Sequence, residues 1–201
     1  MSGESLLTPA TNTPSTKYKY IIRDADEGDL PGILEIYNDS ILNLTATWLE
    51  EPVDIEDRRK WMRDLKNGGF PIFVAVPDTE SHPDGNTGLP SVLGYSSYGP
   101  FRSKTGYRFT VENSIYIHPS ARSGGLGTVL MQKLLEHAKK NGIHVVIAAT
   151  SSDNEASLRF HERLGFVEAG RIPEVGTKWG RWLNLVIQQL ILPVTEKESQ
   201  H

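Results

Sequence analysis

Two rhythms of hydrophobic and polar positions run along the chain, and the places where one gives way to the other mark its elements. Residues 1–17 show neither. Met1 to Thr16 is rich in Ser, Thr and Pro with no periodic apolar face, and reads as a disordered tail. Tyr18 to Arg23 is a short β-branched and aromatic run that predicts a strand. From Asp29, which is placed to cap a helix with Pro31 in its first turn, Leu30, Ile33, Leu34, Tyr37, Ile41 and Leu44 recur at three- and four-residue spacing. A second helix is predicted from about Asp54, with Asp57 near its start, Ile55, Trp61, Met62 and Leu65 as apolar positions, and Asn67-Gly68-Gly69 as its stop. Pro71 to Val76 and Val92 to Tyr98 read as strands on either side of a long polar loop, residues 77–91, dense in Pro, Gly and Asp. Thr110 to His118 alternates as a half-buried strand does. A helix from about Gly125 to Lys140 follows, with Leu126, Val129, Leu130, Leu134 and Ala138 on one side and Asn141-Gly142 at its end. His144 to Ala149 is a continuous apolar run, as in a strand covered on both faces. A last helix, about Glu155 to Leu164, stops at Gly165, and Phe166 to Arg171 and Trp182 to Leu192 close the pattern as strands. Residues 194–201 form a polar tail. The order predicts one mixed α/β domain over residues 18–193.

Composition narrows the chemistry. With 21 Lys and Arg against 25 Asp and Glu in 201 residues, the net charge is −4. That is the wrong sign for holding nucleic acid or an anionic membrane by counterion release. There is no cysteine, which excludes disulfides, cysteine metal sites and a covalent acyl-cysteine intermediate together. No metal site is expected. No apolar run approaches the ~18–20 residues of a membrane span. Residues 1–16 carry Glu4 and no Lys or Arg, unlike a targeting peptide, so a cytoplasmic location is expected.

Three glycines in four positions stand where a strand hands over to a helix, in Arg122-Ser123-Gly124-Gly125-Leu126-Gly127. A helix N-terminus offers unpaired N–H groups and a partial positive charge, and glycines let a phosphate approach them. The P-loop pattern is excluded because no Gly-Lys-Ser or Gly-Lys-Thr occurs. The dinucleotide pattern fails as well, because Leu130 stands where its third glycine belongs and Ile147, Ala148 and Ala149 stand where an acid is needed. A glycine-rich connection with no ligand is the plain alternative.

What survives is R-x-x-G-x-G, and in it the sequence resembles the GCN5-related N-acetyltransferases (GNAT superfamily). The resemblance extends to the strand before the loop, to Asn154, and to His161-Glu162-Arg163-Leu164-Gly165-Phe166. The runs GPFRSKTGYRFTVENSIYIHP, LRFHERLGF and EVGTKWGRWLNL are similar, more narrowly, to the phosphinothricin and methionine sulfone/sulfoximine acetyltransferase branch. The similarity covers about Tyr20 to Leu192, with residues 77–91 as an insertion. It implies a mostly antiparallel central sheet flanked by helices, with a strand pair splayed apart for acetyl-CoA, a small-molecule amine as acceptor, and a homodimer.

The resemblance also implies roles. Glu112 matches the general base, whose plain alternative is a solvated strand carboxylate. Ile115, Tyr116 and Ile117 match the strand that binds the pantetheine arm, with an oxyanion donor at a backbone N–H around Ile115. Arg122, Ser123, Gly124, Gly125, Leu126 and Gly127 match the pyrophosphate loop, and Asn154 and Ser157 the remainder of the cofactor site. His161 stands where the wider family has the tyrosine that protonates the departing thiolate; a packing histidine is the alternative. Arg102, Lys104 and Tyr107 match acceptor-site positions, where cations would meet an amino acid's carboxylate. Between Pro100 and Gly127 four cations face one carboxylate, a basic stretch in an acidic chain, which would also suit a solvated loop. Phe101, Phe109 and Trp179 are read as apolar walls, and Trp48, Trp61 and Trp182 as packing. Alternation places Glu112, Ser114 and Tyr116 on one face and Val111, Asn113, Ile115 and Ile117 on the other, with a bulge near Ser114 expected to interrupt it. Protein or peptide acetylation, which would want an open acidic groove, and a non-catalytic acyl-CoA-binding module remain as other readings.

Overall fold

The computed structural model describes residues 19–79 and 88–193. Both expected tails, and residues 80–87 of the expected insertion, lie outside these. The chain runs β1 (Tyr20–Asp24), α1 (Leu30–Asn43), α2 (Ile55–Asn67), β2 (Ile72–Pro77), β3 (Gly94–Pro100), β4 (Thr110–Ile117), α3 (Leu126–Lys140), β5 (Val145–Ser151), α4 (Glu155–Arg163), β6 (Val167–Lys178) and β7 (Arg181–Ile191). The strands form one sheet in the order β1-β2-β3-β4-β5-β7-β6. Every neighbouring pair is antiparallel except β4 and β5 at the centre.

Side chains alternate through β2, so its apolar run feeds two cores. Phe73 and Ala75 meet Leu130, Met131, Leu134 and Ala138 of α3 on one face. Ile72 and Val74 meet Leu30, Ile33 and Ile36 of α1 and Met62 of α2 on the other. Leu130 and Leu134 are fully buried, and removing each from water contributes about 1.5–3 kcal/mol. The central sheet is thereby held rigidly between helices.

Three local expectations are corrected. Asp29 does not cap α1 with its side chain. Its carboxylate is held by both terminal nitrogens of Arg23 at 2.7 Å and by the Asp26 N–H at 2.9 Å, closing the turn ahead of the helix instead. The strand expected to end at Arg171 continues to Lys178, with one register shift against β7 between Glu168 and Gly170 and a second that carries it past Pro173 to Gly176. An edge strand tolerates both residues because its outer side makes no ladder. Trp182 is 67% exposed and does not pack. Trp48 does, and a Cβ on Gly176 would run into its ring.

Candidate active site

A slot opens where the one parallel pair parts. The ladder joins Thr110, Val111 and Glu112 to Val145, Val146 and Ile147 and goes no further, whereas β5 stays paired with β7 as far as Ser151. Beyond Glu112 the facing edges of β4 and β5 present backbone N–H and C=O groups to the gap, as a binding strand must. The expected bulge at Ser114 is absent. β3 and β4 pair without a shift from Gly94↔Ile117 to Pro100↔Val111, so the opening comes from the divergence of β4 and β5 alone.

The cleft has a volume of about 130 Å³. Because it passes between two central strands, both faces of β4 contribute to it. Glu112, Ser114 and Tyr116 reach it from the side of α1 and α2; Asn113 and Ile115 reach it from the other side, where Asn154, Ser157 and His161 of α4 stand; and Ala46, after α1, adds to the lining. Ala148, Ala149 and Thr150 of β5 form the opposite wall.

Glu112 is partly buried, and its carboxyl is pushed above the ordinary 4.5 by that burial, with the positive charge of Arg102 pulling it back. A carboxylate in that position is a stronger proton acceptor than one in water. His161 is 3% exposed. Its Nδ1 lies 2.9 Å from the Ser157 carbonyl and its Nε2 3.2 Å from Oδ1 of Asn113. Burial pushes its pKa down, against the Ser157 carbonyl, which raises it. Asn154 caps α4, its side-chain oxygen accepting the Ser157 N–H at 3.2 Å.

The glycine-rich turn lies beyond the far end of β4 and does not line the cleft. Gly125 takes φ of +78° at the N-cap of α3, which favours glycine, and Ser123 has φ of +66°. The other two glycines have a different reason. A Cβ on Gly124 would meet nothing closer than 3.8 Å, and one on Gly127 nothing closer than 3.4 Å, so interior packing does not demand them. A Cβ on Gly127 would face Phe160 and Ile117, whereas Gly124 leaves open space just ahead of the first N–H groups of α3, which fits the pyrophosphate of acetyl-CoA. Gly124→Ala should therefore leave thermal stability unchanged and weaken acetyl-CoA binding by about tenfold, or 1.4 kcal/mol, in calorimetric titration. Equal affinity for the two proteins would assign the glycine to the turn alone. Arg122 is already engaged: Nη2 is 2.7 Å from Asp39 of α1 and Nε donates to the Ile117 carbonyl at 3.2 Å. Its charge braces the turn against α1.

Of the residues the sequence singles out, Glu112, Ile115, Tyr116, Asn154, Ser157 and His161 come together in the cleft. Arg102, Lys104 and Tyr107 stand on the exposed segment between β3 and β4, outside the cleft lining. Among them Arg102 reaches Glu112 electrostatically. Phe101 packs edge-on to Tyr107, while Phe109 lies under Arg108 and Trp179 beside Lys178; none of the three walls the cleft. Sequence reasoning missed Asn113, Ser114, Ala46 and the wall from β5. Asn113, a buried amide in a strand, was the one readable signal among them.

Comparison with known proteins agrees with this geometry. Residues 33–166 match the acetyltransferase (GNAT) family. The chain is 47% identical over 174 residues to the L-methionine sulfoximine/L-methionine sulfone acetyltransferase of Pseudomonas aeruginosa, covering 87% of this chain and 95% of that protein. It is 33% identical over 162 residues to a phosphinothricin N-acetyltransferase of Streptomyces coelicolor, covering 80% and 90%. The crystal structure of a GNAT superfamily phosphinothricin acetyltransferase from Sinorhizobium meliloti in complex with acetyl-CoA superposes with a TM-score of 0.78 at 33% identity, over 89% of this chain and 94% of that one. A sheet split at its centre beside a glycine-rich helix start, with a family match over more than half its length, places this chain in the GNAT family of acetyltransferases.

Proposed function

We propose that the chain transfers the acetyl group of acetyl-CoA to the α-amine of a small amino acid or analogue of the methionine sulfone, methionine sulfoximine or phosphinothricin type, by direct attack in a ternary complex. The observation that carries it is the slot between β4 and β5, with a carboxylate entering from one side and an imidazole from the other. Amine attack on a thioester needs a neutral amine, a stabilised oxyanion and a protonated leaving thiolate. Glu112 takes the ammonium proton, backbone N–H groups of β4 freed beyond Glu112 meet the oxyanion, and His161 supplies the proton to the thiolate. The pyrophosphate is held at Ser123 to Gly127, and the pantetheine arm along Ile115 to Ile117. Arg102, with Lys104 and Tyr107 on the same exposed segment, faces the acceptor's carboxylate.

Support for a small acidic acceptor over a basic peptide comes from the cations of the segment between β3 and β4, which would repel a lysine-rich tail. The other family feature, a homodimer in the cytoplasm, belongs to the same reading. The test is an acceptor panel of methionine sulfone, methionine sulfoximine, phosphinothricin and a histone-like basic peptide, read by release of thiol. The chain has no cysteine, so every thiol detected comes from CoA. Release with the small amino acids and none with the peptide is expected; the reverse ranking overturns the proposal.

A further inference from the structure

The run between β4 and α3, which carries the glycines, is tied to α1 at two points outside the cleft. Glu35 and Asp39 stand four residues apart and so share one face of α1. Each meets a side chain from that run. Asp39 Oδ2 lies 2.7 Å from Nη2 of Arg122, and its other oxygen accepts from Nδ2 of Asn43 at 2.9 Å. Glu35 Oε1 lies 3.3 Å from Nε2 of His118. Nδ1 of the same ring accepts the Ser120 N–H at 3.2 Å, which leaves the ring hydrogen of a neutral imidazole on Nε2, facing the carboxylate. Arg122 is held from the strand side as well, its Nε donating to the Ile117 carbonyl at 3.2 Å.

The residue after Arg122 gives the turn a reason to be held. Ser123 has φ of +66°, in the region that favours glycine, yet it carries a side chain. A backbone of that kind persists where its surroundings over-determine it. Ser123 also leads directly into Gly124, Gly125 and the start of α3. A change of φ there would re-aim the N–H groups that follow.

We infer that Asp39 is a positioning residue for acetyl-CoA: by fixing Arg122 it keeps Ser123 left-handed and the first N–H groups of α3 aimed at the pyrophosphate. The inference rests on the reading that seats the pyrophosphate at Ser123 to Gly127. Its sign is opposite to that of charge alone. A carboxylate near an anionic ligand repels it, so simple neutralisation of Asp39 would tighten cofactor binding. Loss of the brace weakens it instead. In Asp39→Asn the side-chain oxygen still accepts from Asn43, which turns the amide nitrogen, a donor, against the guanidinium. The side chains of the Arg122–Asp39 pair are 39% and 23% exposed, so the fold survives its loss.

Calorimetric titration of the full chain with CoA tests this without an acceptor or turnover. Asp39→Asn should bind CoA about fivefold more weakly, the scale of a part-exposed ion pair, and in initial-rate kinetics the loss should fall on KM for acetyl-CoA rather than on kcat. Adding Ser123→Gly should recover most of the lost affinity, because glycine takes a positive φ without a brace. Equal or tighter binding by Asp39→Asn overturns the inference, and so does a loss that Ser123→Gly leaves unrepaired. Gly124→Ala separates the two levels of the reading. If it binds CoA as tightly as the unsubstituted protein, the pyrophosphate seat falls and the brace with it; if it binds weakly while Asp39→Asn does not, the brace alone falls.

Discussion

Glu112→Gln should lower kcat by roughly 10²–10⁴-fold while acetyl-CoA binds as before, the usual loss when a positioned general base is removed. The substitution keeps the shape of the side chain and takes away only its capacity to hold a proton. Because the turn at Ser123 to Gly127 lies outside the cleft lining and the substitution keeps the side chain's shape beside the β4 backbone, cofactor affinity should change little. The pH dependence has a definite sign. A general base at Glu112 must be the carboxylate, and the pKa of Glu112 lies above the ordinary 4.5 because burial disfavours the charge. The acid limb of kcat/KM should therefore fall away as pH drops through a value above the usual carboxylate range. Arg102 opposes the burial effect, so Arg102→Gln should move that limb to higher pH and raise KM for the amino acid. Initial rates across a pH series, with calorimetry for acetyl-CoA, check both. Undiminished turnover of Glu112→Gln at neutral pH would remove Glu112 from the role.

Much of this site is legible in the sequence because its parts lie on regular elements. The alternation of β4 assigns Glu112 and Asn113 to opposite faces, and the structure keeps that assignment because no bulge interrupts β4 against β3. The glycine turn announces itself as well, since a positive φ at Gly125 and an open approach at Gly124 both call for glycine. The remainder depends on tertiary proximity that no local pattern encodes. Ala46 and the β5 wall carry no chemistry in their side chains and matter only for where the backbone puts them. Asp29 shows the limit of capping signals: Arg23 competes for the carboxylate, and two charge-assisted bonds at 2.7 Å outweigh one cap. The extension of β6 past Pro173 was hidden by breaker residues that only an edge position excuses.

Lys178→Met should destabilise the protein by about 2–4 kcal/mol and raise KM for the amino acid more than KM for acetyl-CoA. Lys178 is fully buried. Its ammonium donates to the carbonyls of Leu44 at 2.6 Å and Thr47 at 2.7 Å and lies 4.5 Å from the ring of Trp179. Burial pushes its pKa below the ordinary 10.5, against the negative charge of Glu50, which raises it. Methionine fills nearly the same space, so the loss is that of two hydrogen bonds from a charged donor, with the carbonyls left short of a partner. The functional part follows from which segment is held. Residues 44–50 connect the end of α1 toward α2, and Ala46 within them lines the cleft. The same segment is fastened to the β6–β7 hairpin by Trp48 over Gly176 and by the Trp179 N–H donating to Glu50 at 3.0 Å, and to Asp153 through the Thr45 hydroxyl at 2.8 Å. Removing the lysine loosens the cleft lining at Ala46 and leaves untouched the α3 turn, where the proposed reading puts the pyrophosphate, which is why the two KM values should separate. Denaturant unfolding gives the stability change and initial-rate kinetics the split. A variant that loses stability with both KM values unchanged would make Lys178 a fastening of the fold alone.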